Sequence, residues 1–473
     1  MRGQWALAVI LWAAVALAVA ACGLTPPALP GSATAVAFRA ASAPNGAAES
    51  LFCPILTAPQ VVGLQVYPLP QVGEPPPRVS FHDPDFGLCL ARVSDHSADL
   101  VAEDRSTGLR PEAANVPAFN ADSSLILARS SGWFWYVYAA DNLQMVMTLP
   151  FSGELEARWD PISVGKLYVL SGTRLSAFTL STGQFETIHD FAADLAPRVV
   201  RKIGTGHIGN PTGDGRYWSL LAESEPDQPG ALMVYDRFED RVTAHLDLPP
   251  AARPRGVLLS PRGNFVVVWY EGECPPGEED AAAPFCGVVR YNRQLKDGRL
   301  LLTGARSLDT ALDAQGREVL VYHDALINSI SYIDLASGLD ADLWLVDSGS
   351  AELGMNISGQ AVRSPGWALI STYGAGVPEY RPETGGWMDN AIFAVELKPD
   401  GRVARLAHTY STDLHEVYNE AWFGPQATVN ASFTRVLFTS NWGRVREGHM
   451  DIVMIGLPPG WSQELDASTG RPK

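Results

Sequence analysis

Basic side chains are scarce in this chain: 35 Lys and Arg stand against 52 Asp and Glu, a formal net charge of −17. That surplus repels nucleic acid and anionic membrane surfaces, so neither is expected as a partner, and it suits a solvated exterior equally well. Cysteine is sparse too, five residues in 473, and none has the CxxC spacing of a structural zinc site. The sequence holds no GxSxG elbow, no HExxH, no P-loop and no EF-hand loop. No catalytic residue and no metal ligand is therefore assigned, and no resident cofactor is expected. Amphipathic helical periodicity is nearly missing, which argues against helical and mixed classes.

One long hydrophobic run is present, from Trp5 to Ala20, with Arg2 as the only charge before it. It ends in Val19-Ala20-Ala21-Cys22, which resembles the lipobox of secreted bacterial lipoproteins. The resemblance implies that residues 1–21 are a signal peptide and that the thiol of Cys22 receives lipid, with an uncleaved anchor helix as the alternative. Three acyl chains give stable anchoring, since each buried CH₂ contributes about 0.8 kcal/mol. Residues 22–50, rich in Ala, Pro, Ser and Gly, read as a flexible tether. The expected location is extracytoplasmic, anchored to a bacterial membrane in the periplasm or at the cell surface. Four cysteines remain, and proximity in an exported chain favours the disulfides Cys53–Cys89 and Cys274–Cys286.

From about residue 51 to 458 short β-branched and aromatic runs recur between turn signals, leaving a polar tail at 459–473. Ser124–Ala128, Trp133–Tyr138 and Gln144–Leu149 follow a turn at Asp122, and Lys166–Leu170, Arg174–Phe178 and Phe185–Ile188 follow one at Asp160. Four strands and a turn, repeated, are the signature of a propeller blade. Further turn anchors at Asp214-Gly215, Arg262-Gly263, Ser337-Gly338, Pro365-Gly366 and Ser432-Phe433 bring the count to seven. Their mean spacing is about 52 residues but uneven around Gly338, so seven blades are expected and eight are the alternative. The last unit has three strands, and the segment Cys89–Ser94 is the expected fourth, closing the ring and removing an open sheet edge.

Asn120-Ala121-Asp122-Ser123-Ser124, Ser260-Pro261-Arg262-Gly263-Asn264-Phe265 and Phe433–Gly443 resemble the strand-turn-strand cores of WD40-like propellers of the TolB type. The last of these, with Asp83-Pro84-Asp85-Phe86-Gly87, is also similar to secreted propellers related to oligogalacturonate lyase. The resemblance spans most of residues 80–458 and implies a fold far more firmly than an activity. Lyase-related propellers bind a catalytic metal through several histidines. This chain has Leu326-Ile327-Asn328-Ser329-Ile330-Ser331 where a His-rich stretch is expected, so no lyase residue carries over, and a divalent cation enters only under a lyase alternative.

Ligands of propellers meet the loops at the ends of the central channel. Candidate ligand-binding residues are His408, His415, Glu416, Asn441 and Trp442 in the polar stretch 408–442, His323 and Asp324 in a second cluster, and His207. The last lies in Gly204-Thr205-Gly206-His207-Ile208-Gly209, which matches the dinucleotide fingerprint by letter; the turn residues that follow it leave no helix N-terminus to receive pyrophosphate. Most tryptophans are expected between blades. The leading functional reading is a non-enzymatic binding or scaffold module for a protein partner or glycan. The alternatives are a carbohydrate-active, polysaccharide lyase-like enzyme and a fixed subunit of a membrane-associated complex.

Overall fold

The structure, a computed structural model, describes most of the chain between Cys53 and Leu465. Residues 1–52, 54–55, 60–63, 68, 71, 197–198, 226–227, 276, 278–284, 325, 349–352, 375–384, 412–423, 444–448 and 466–473 lie outside the described residues. The signal peptide, the tether with Cys22, and the pair His415 and Glu416 fall among these. No helix of the described residues is long and apolar enough to cross a membrane.

Seven antiparallel sheets make an all-β, seven-bladed propeller. Six blades have four strands in sequential order, and the seventh takes its fourth and fifth strands from the N-terminal side. Blade 1 runs from Leu109–Arg110 to Met145–Ser152, blade 2 from Glu156–Trp159 to Gln184–Asp190 and blade 3 from Lys202–Gly204 to Arg241–Asp247. Blade 4 runs from Pro254–Leu259 to Arg299–Leu302, blade 5 from Leu308–Leu312 to Asp340–Leu345 and blade 6 from Leu353–Ser358 to Val403–His408. Blade 7 comprises Thr428–Val429, Arg435–Ser440 and Asp451–Gly456, on which Cys89–Arg92 pairs antiparallel, Cys89 opposite Gly456 and Arg92 opposite Val453. Ser80–His82 adds the fifth strand. The ring is thus closed by the predicted segment.

Position in the blade explains the hydropathy of each strand. Second strands such as Phe265–Tyr270 are covered on both faces by neighbouring blades and read as continuous apolar runs. Outer strands such as Arg241–Asp247 alternate between exposed and half-buried positions, because one face meets water. Between blades, the interior is aromatic: Trp218 of blade 3 meets Tyr168 of blade 2 edge-on with centroids 5.4 Å apart, and Trp344 of blade 5 meets Trp387 of blade 6 at 6.1 Å. Burying one such ring contributes on the order of 5 kcal/mol before the entropy of ordering it.

The turn from first to second strand repeats one device. Asn120, Thr212, Ser260, Asp313 and Asn430 each donate a backbone N–H to the carbonyl of the residue at the start of the second strand, and each side chain accepts that same residue's N–H in return. Short polar side chains that mimic backbone are suited to this job. In blade 5 the turn is Asp313–Gly316, whereas Ser337-Gly338 is the tight link between third and fourth strands. The uneven spacing around Gly338 reflects that substitution of one turn for another, and the described residues form seven blades.

The disulfides are Cys53–Cys89 and Cys274–Cys286. Packing continues past residue 458: Trp461 is buried against Trp367 and Phe433, and its indole N–H donates to the Phe433 carbonyl.

Candidate functional site

Two of the innermost strands leave their sheets and plug the channel. After Arg110 the chain departs from blade 1 and rejoins it where Phe119 bridges Ile126; after Gly204 the chain leaves blade 3 and rejoins it where Thr212 bonds to Tyr217. Asn210 donates through Nδ2 to the Asn115 carbonyl at 2.6 Å, and Asn115 donates through Nδ2 to the Leu308 carbonyl of blade 5 at 2.6 Å. Blades 1, 3 and 5 are not neighbours, so these bonds span the axis. Cavities remain on either side of the plug.

The fingerprint-like glycines serve this packing. A Cβ on Gly206, whose φ is +72°, would lie 2.4 Å from the Arg255 carbonyl oxygen, and one on Gly209 would lie 2.3 Å from that of Val257. No helix follows, so the dinucleotide reading has no support. Beneath the loop, Glu156 and Arg158 form a buried pair at 2.9 Å, with Thr205 donating to Glu156 Oε2 and Arg158 Nε donating to the Gly209 carbonyl at 2.8 Å. Burial alone raises the Glu156 carboxyl, but Arg158, His207 and Thr205 outweigh it and hold the group below its ordinary range.

On the side where first strands begin, the mouth opens into a cavity of about 570 Å³. Arg110, Arg129, Arg255, Arg306 and His207 line it, with Trp133, Trp269 and Tyr373 and one carboxylate, Glu112. Glu112 is spent internally: its Oε2 lies 2.7 Å from Arg129 Nε and its Oε1 lies 2.6 Å from His207 Nδ1. Burial pushes the Glu112 carboxyl up, yet the His207 bond and the Arg129 and Arg158 charges hold it down at about 2. The guanidinium of Arg129 sits 4.0 Å over the Trp133 ring, and that of Arg255 sits 4.3 Å over Trp269. Arg255 and Arg306 are exposed and make no ion pair among the described residues. A strongly acidic protein thus concentrates surplus positive charge and aromatic faces at one channel mouth. The opposite mouth is different, a cavity of about 130 Å³ walled by Phe119, Trp159, Pro161, Pro261 and Leu258.

The candidate residues read from the sequence do not form one cluster. His207 lines the mouth. His323 is buried beside the Arg306-Ser307 segment, its backbone N–H donating to the Ser307 carbonyl and its Nε2 lying 3.0 Å from Asn328 Oδ1. Burial foremost, then Arg306, lowers its affinity for a proton. Asp324 caps its own loop by accepting from the Leu326 and Ile327 N–H groups. Trp442 stacks on Tyr410 with centroids 4.3 Å apart and donates to the Val72 carbonyl, and Asn441 is buried beside it. His408 Nε2 lies 2.7 Å from Asp85 Oδ2.

Asp83, Asp85 and His408 are the one group among the described residues whose donor atoms could share a metal ion. The Asp83 carboxylate is already engaged on both oxygens. Oδ1 accepts from the Asp85 and Phe86 N–H groups, and Oδ2 accepts from the His408 N–H and the Tyr410 hydroxyl. That arrangement ties the turn before Cys89 to blade 6, and none of the three lines the mouth. His207 is the sole histidine among the described residues of the mouth wall, so the donor set there does not suit a histidine-held catalytic metal.

Apart from His207, the charged residues that define the mouth, Arg110, Arg129, Arg255, Arg306 and Glu112, are not among the candidates read from the sequence. A signal was available: Arg110 and Arg255 occupy the second position of an innermost strand, and Arg306 precedes one by two residues.

No family model and no curated protein matches the chain. Among solved structures it is similar to an oligogalacturonate lyase in complex with manganese, at 14% identity and TM-score 0.53, covering 81% of this chain and 96% of that one. It is similar also to the oligogalacturonate lyase of Vibrio parahaemolyticus, at 13% identity and TM-score 0.53, covering 81% and 97%. Likeness at these identities concerns the fold alone: the chain is a seven-bladed propeller of the architecture that oligogalacturonate lyase shares.

Proposed function

We propose that this chain is an extracytoplasmic, lipid-anchored binding propeller whose arginine-lined mouth takes an anionic ligand, presented by a glycan or a protein partner. One observation carries the reading. In a chain of net charge −17, four arginines converge on a single cavity whose only carboxylate among the described residues is neutralised within the wall. Guanidinium groups match carboxylate and phosphate geometry, and the aromatic faces add stacking area for a ring or planar group. The two disulfides suit an oxidising compartment. The lipidated Cys22 rests on the sequence of the signal.

The test is titration calorimetry of purified protein with oligogalacturonate and with an oligoglutamate peptide, each against a neutral counterpart. Salt-sensitive binding of an anion, lost in the Arg255→Gln/Arg306→Gln double variant, supports the proposal. Equal affinity for charged and neutral probes, or an unaffected double variant, overturns it. Anchoring is tested separately: mass spectrometry of the membrane-extracted protein is expected to show acylated Cys22, and Cys22→Ser to release the protein from the membrane.

A further inference from the structure

A second cavity, of about 450 Å³, adjoins the mouth between blades 4 and 5 and shares Arg255, Trp269 and Arg306 with it. Its outer wall has the opposite charge, carried by Glu271 and Glu273, and Leu326 stands at its edge 78% exposed. Two arginines and two glutamates line one space of about 450 Å³, and among the described residues no ion pair joins them.

Their supports are visible. Arg255 is held over the Trp269 ring. The main chain at Glu271 is fixed by its N–H, which donates to the Arg253 carbonyl at 2.7 Å. Glu273 precedes the Cys274–Cys286 disulfide, and the Cys274 N–H donates to the Thr303 carbonyl at 2.8 Å. The next residue, Gly304, leaves room for the Glu273 stem, because a Cβ there would come within 2.7 Å of Glu273 Cγ. The groove between blades 4 and 5 thus carries charges of both signs, the two arginines where it joins the mouth and the two glutamates in the part the mouth does not share.

We infer that the groove recognises a dipolar, extended peptide, with a carboxylate at Arg255 and Arg306, a cationic side chain at Glu271 and Glu273, and an apolar side chain against Leu326. This deepens the proposed anion-binding reading and rests on it. A uniformly acidic polysaccharide fits the mouth but is repelled by the outer wall, so the groove favours a peptide over such a glycan. Opposite charges placed in register give selectivity, since a ligand lacking one of them leaves its counterpart unanswered.

The experiment uses three short acetylated peptides: one with a lysine three positions before a free terminal carboxylate, its norleucine analogue, and its carboxamide analogue. Binding to the purified protein is read by calorimetry and by Trp fluorescence. The dipolar peptide is expected to bind about five- to tenfold more tightly than either analogue. In Glu271→Gln/Glu273→Gln that preference disappears while the norleucine analogue keeps its affinity. If dipolar and norleucine peptides bind wild type equally, and both are lost in Arg255→Gln/Arg306→Gln, the dipolar inference is overturned and anion binding stands. Oligogalacturonate binding more tightly than any peptide, indifferent to the glutamate substitutions, overturns it in favour of a glycan. If no anion binds at all, the underlying reading fails first.

Discussion

Ser94 donates through its hydroxyl to the Asp451 carboxylate at 2.8 Å across a sequence separation of 357 residues. The same carboxylate accepts the His96 backbone N–H, lies 2.7 Å from the His96 ring and 3.2 Å from Arg92. Arg92 also pairs with Glu74 at 2.9 Å and with Asp95 at 3.2 Å. A network of charges therefore fastens the strand that closes the ring, where a propeller without such a fastening would expose a sheet edge.

Asp451→Ala is expected to cost about 3 kcal/mol, because it strands part of a buried arginine network. Urea denaturation measures this. The dependence on pH follows from His96, whose proton affinity is raised by its bond to Asp451 despite burial. A raised folded value means that the contribution is complete below the unfolded value and fades as pH rises through the folded one. The His96→Gln penalty should accordingly be larger at pH 6 than at pH 9. A penalty that grows with pH would contradict the assignment.

Gly206 and Gly172 both have positive φ, +72° and +55°, but only Gly206 is crowded. Alanine at Gly172 meets nothing within 4 Å, so its cost should be limited to the left-handed backbone, about 1 kcal/mol. Alanine at Gly206 must also push the Arg255 carbonyl away. A loss of at least about 2 kcal/mol is expected, with weaker anion binding because Arg255 moves. Thermal melting and calorimetry on the two variants test this; equal losses would show that the loop does not pack as described.

Much of the fold is legible in sequence because strand position dictates hydropathy. Phe265–Tyr270 is continuously apolar since it is covered on both faces, and the polar turn residues Asn120 and Ser260 recur where the backbone needs an acceptor. The first turn of blade 5 is hard to tell from its last, because Ser337-Gly338 has the same turn chemistry as Gln315-Gly316. The mouth was not legible: Glu112 and His207 are 95 residues apart and meet only because two strands leave their sheets. Trp442 carries the chemistry of a sugar platform, but its face is taken by Tyr410 and its N–H by Val72, partners that local sequence does not announce.

The two disulfides close loops of different length, with sequence separations of 36 for Cys53–Cys89 and 12 for Cys274–Cys286. Chain-entropy arguments give about 4 and about 3 kcal/mol. Replacing the first pair by serine should therefore lower the urea midpoint more than replacing the second. The second replacement is expected to have the sharper functional effect, loosening Glu273 and reducing selectivity for a dipolar peptide while leaving simple anions bound. Paired denaturation and binding curves separate the two effects.

Glu112→Gln should move stability and binding in opposite directions. Glu112 is fully buried and its carboxyl is depressed from 4.5 to about 2. At 1.36 kcal/mol per pH unit this is about 3 kcal/mol of stabilisation, complete above pH 4.5 and lost as pH falls toward 2. The variant is thus expected to be less stable than wild type at pH 7 by about that amount, with the gap closing in acid. Removing the one carboxylate of the mouth also leaves Arg129 and His207 uncompensated, so the local potential becomes more positive and anions should bind several-fold more tightly at low salt. Melting curves between pH 2 and 7, with titrations at two ionic strengths, check both halves. Weaker anion binding in a variant that remains folded would mean that Glu112 positions the arginines rather than merely offsetting their charge.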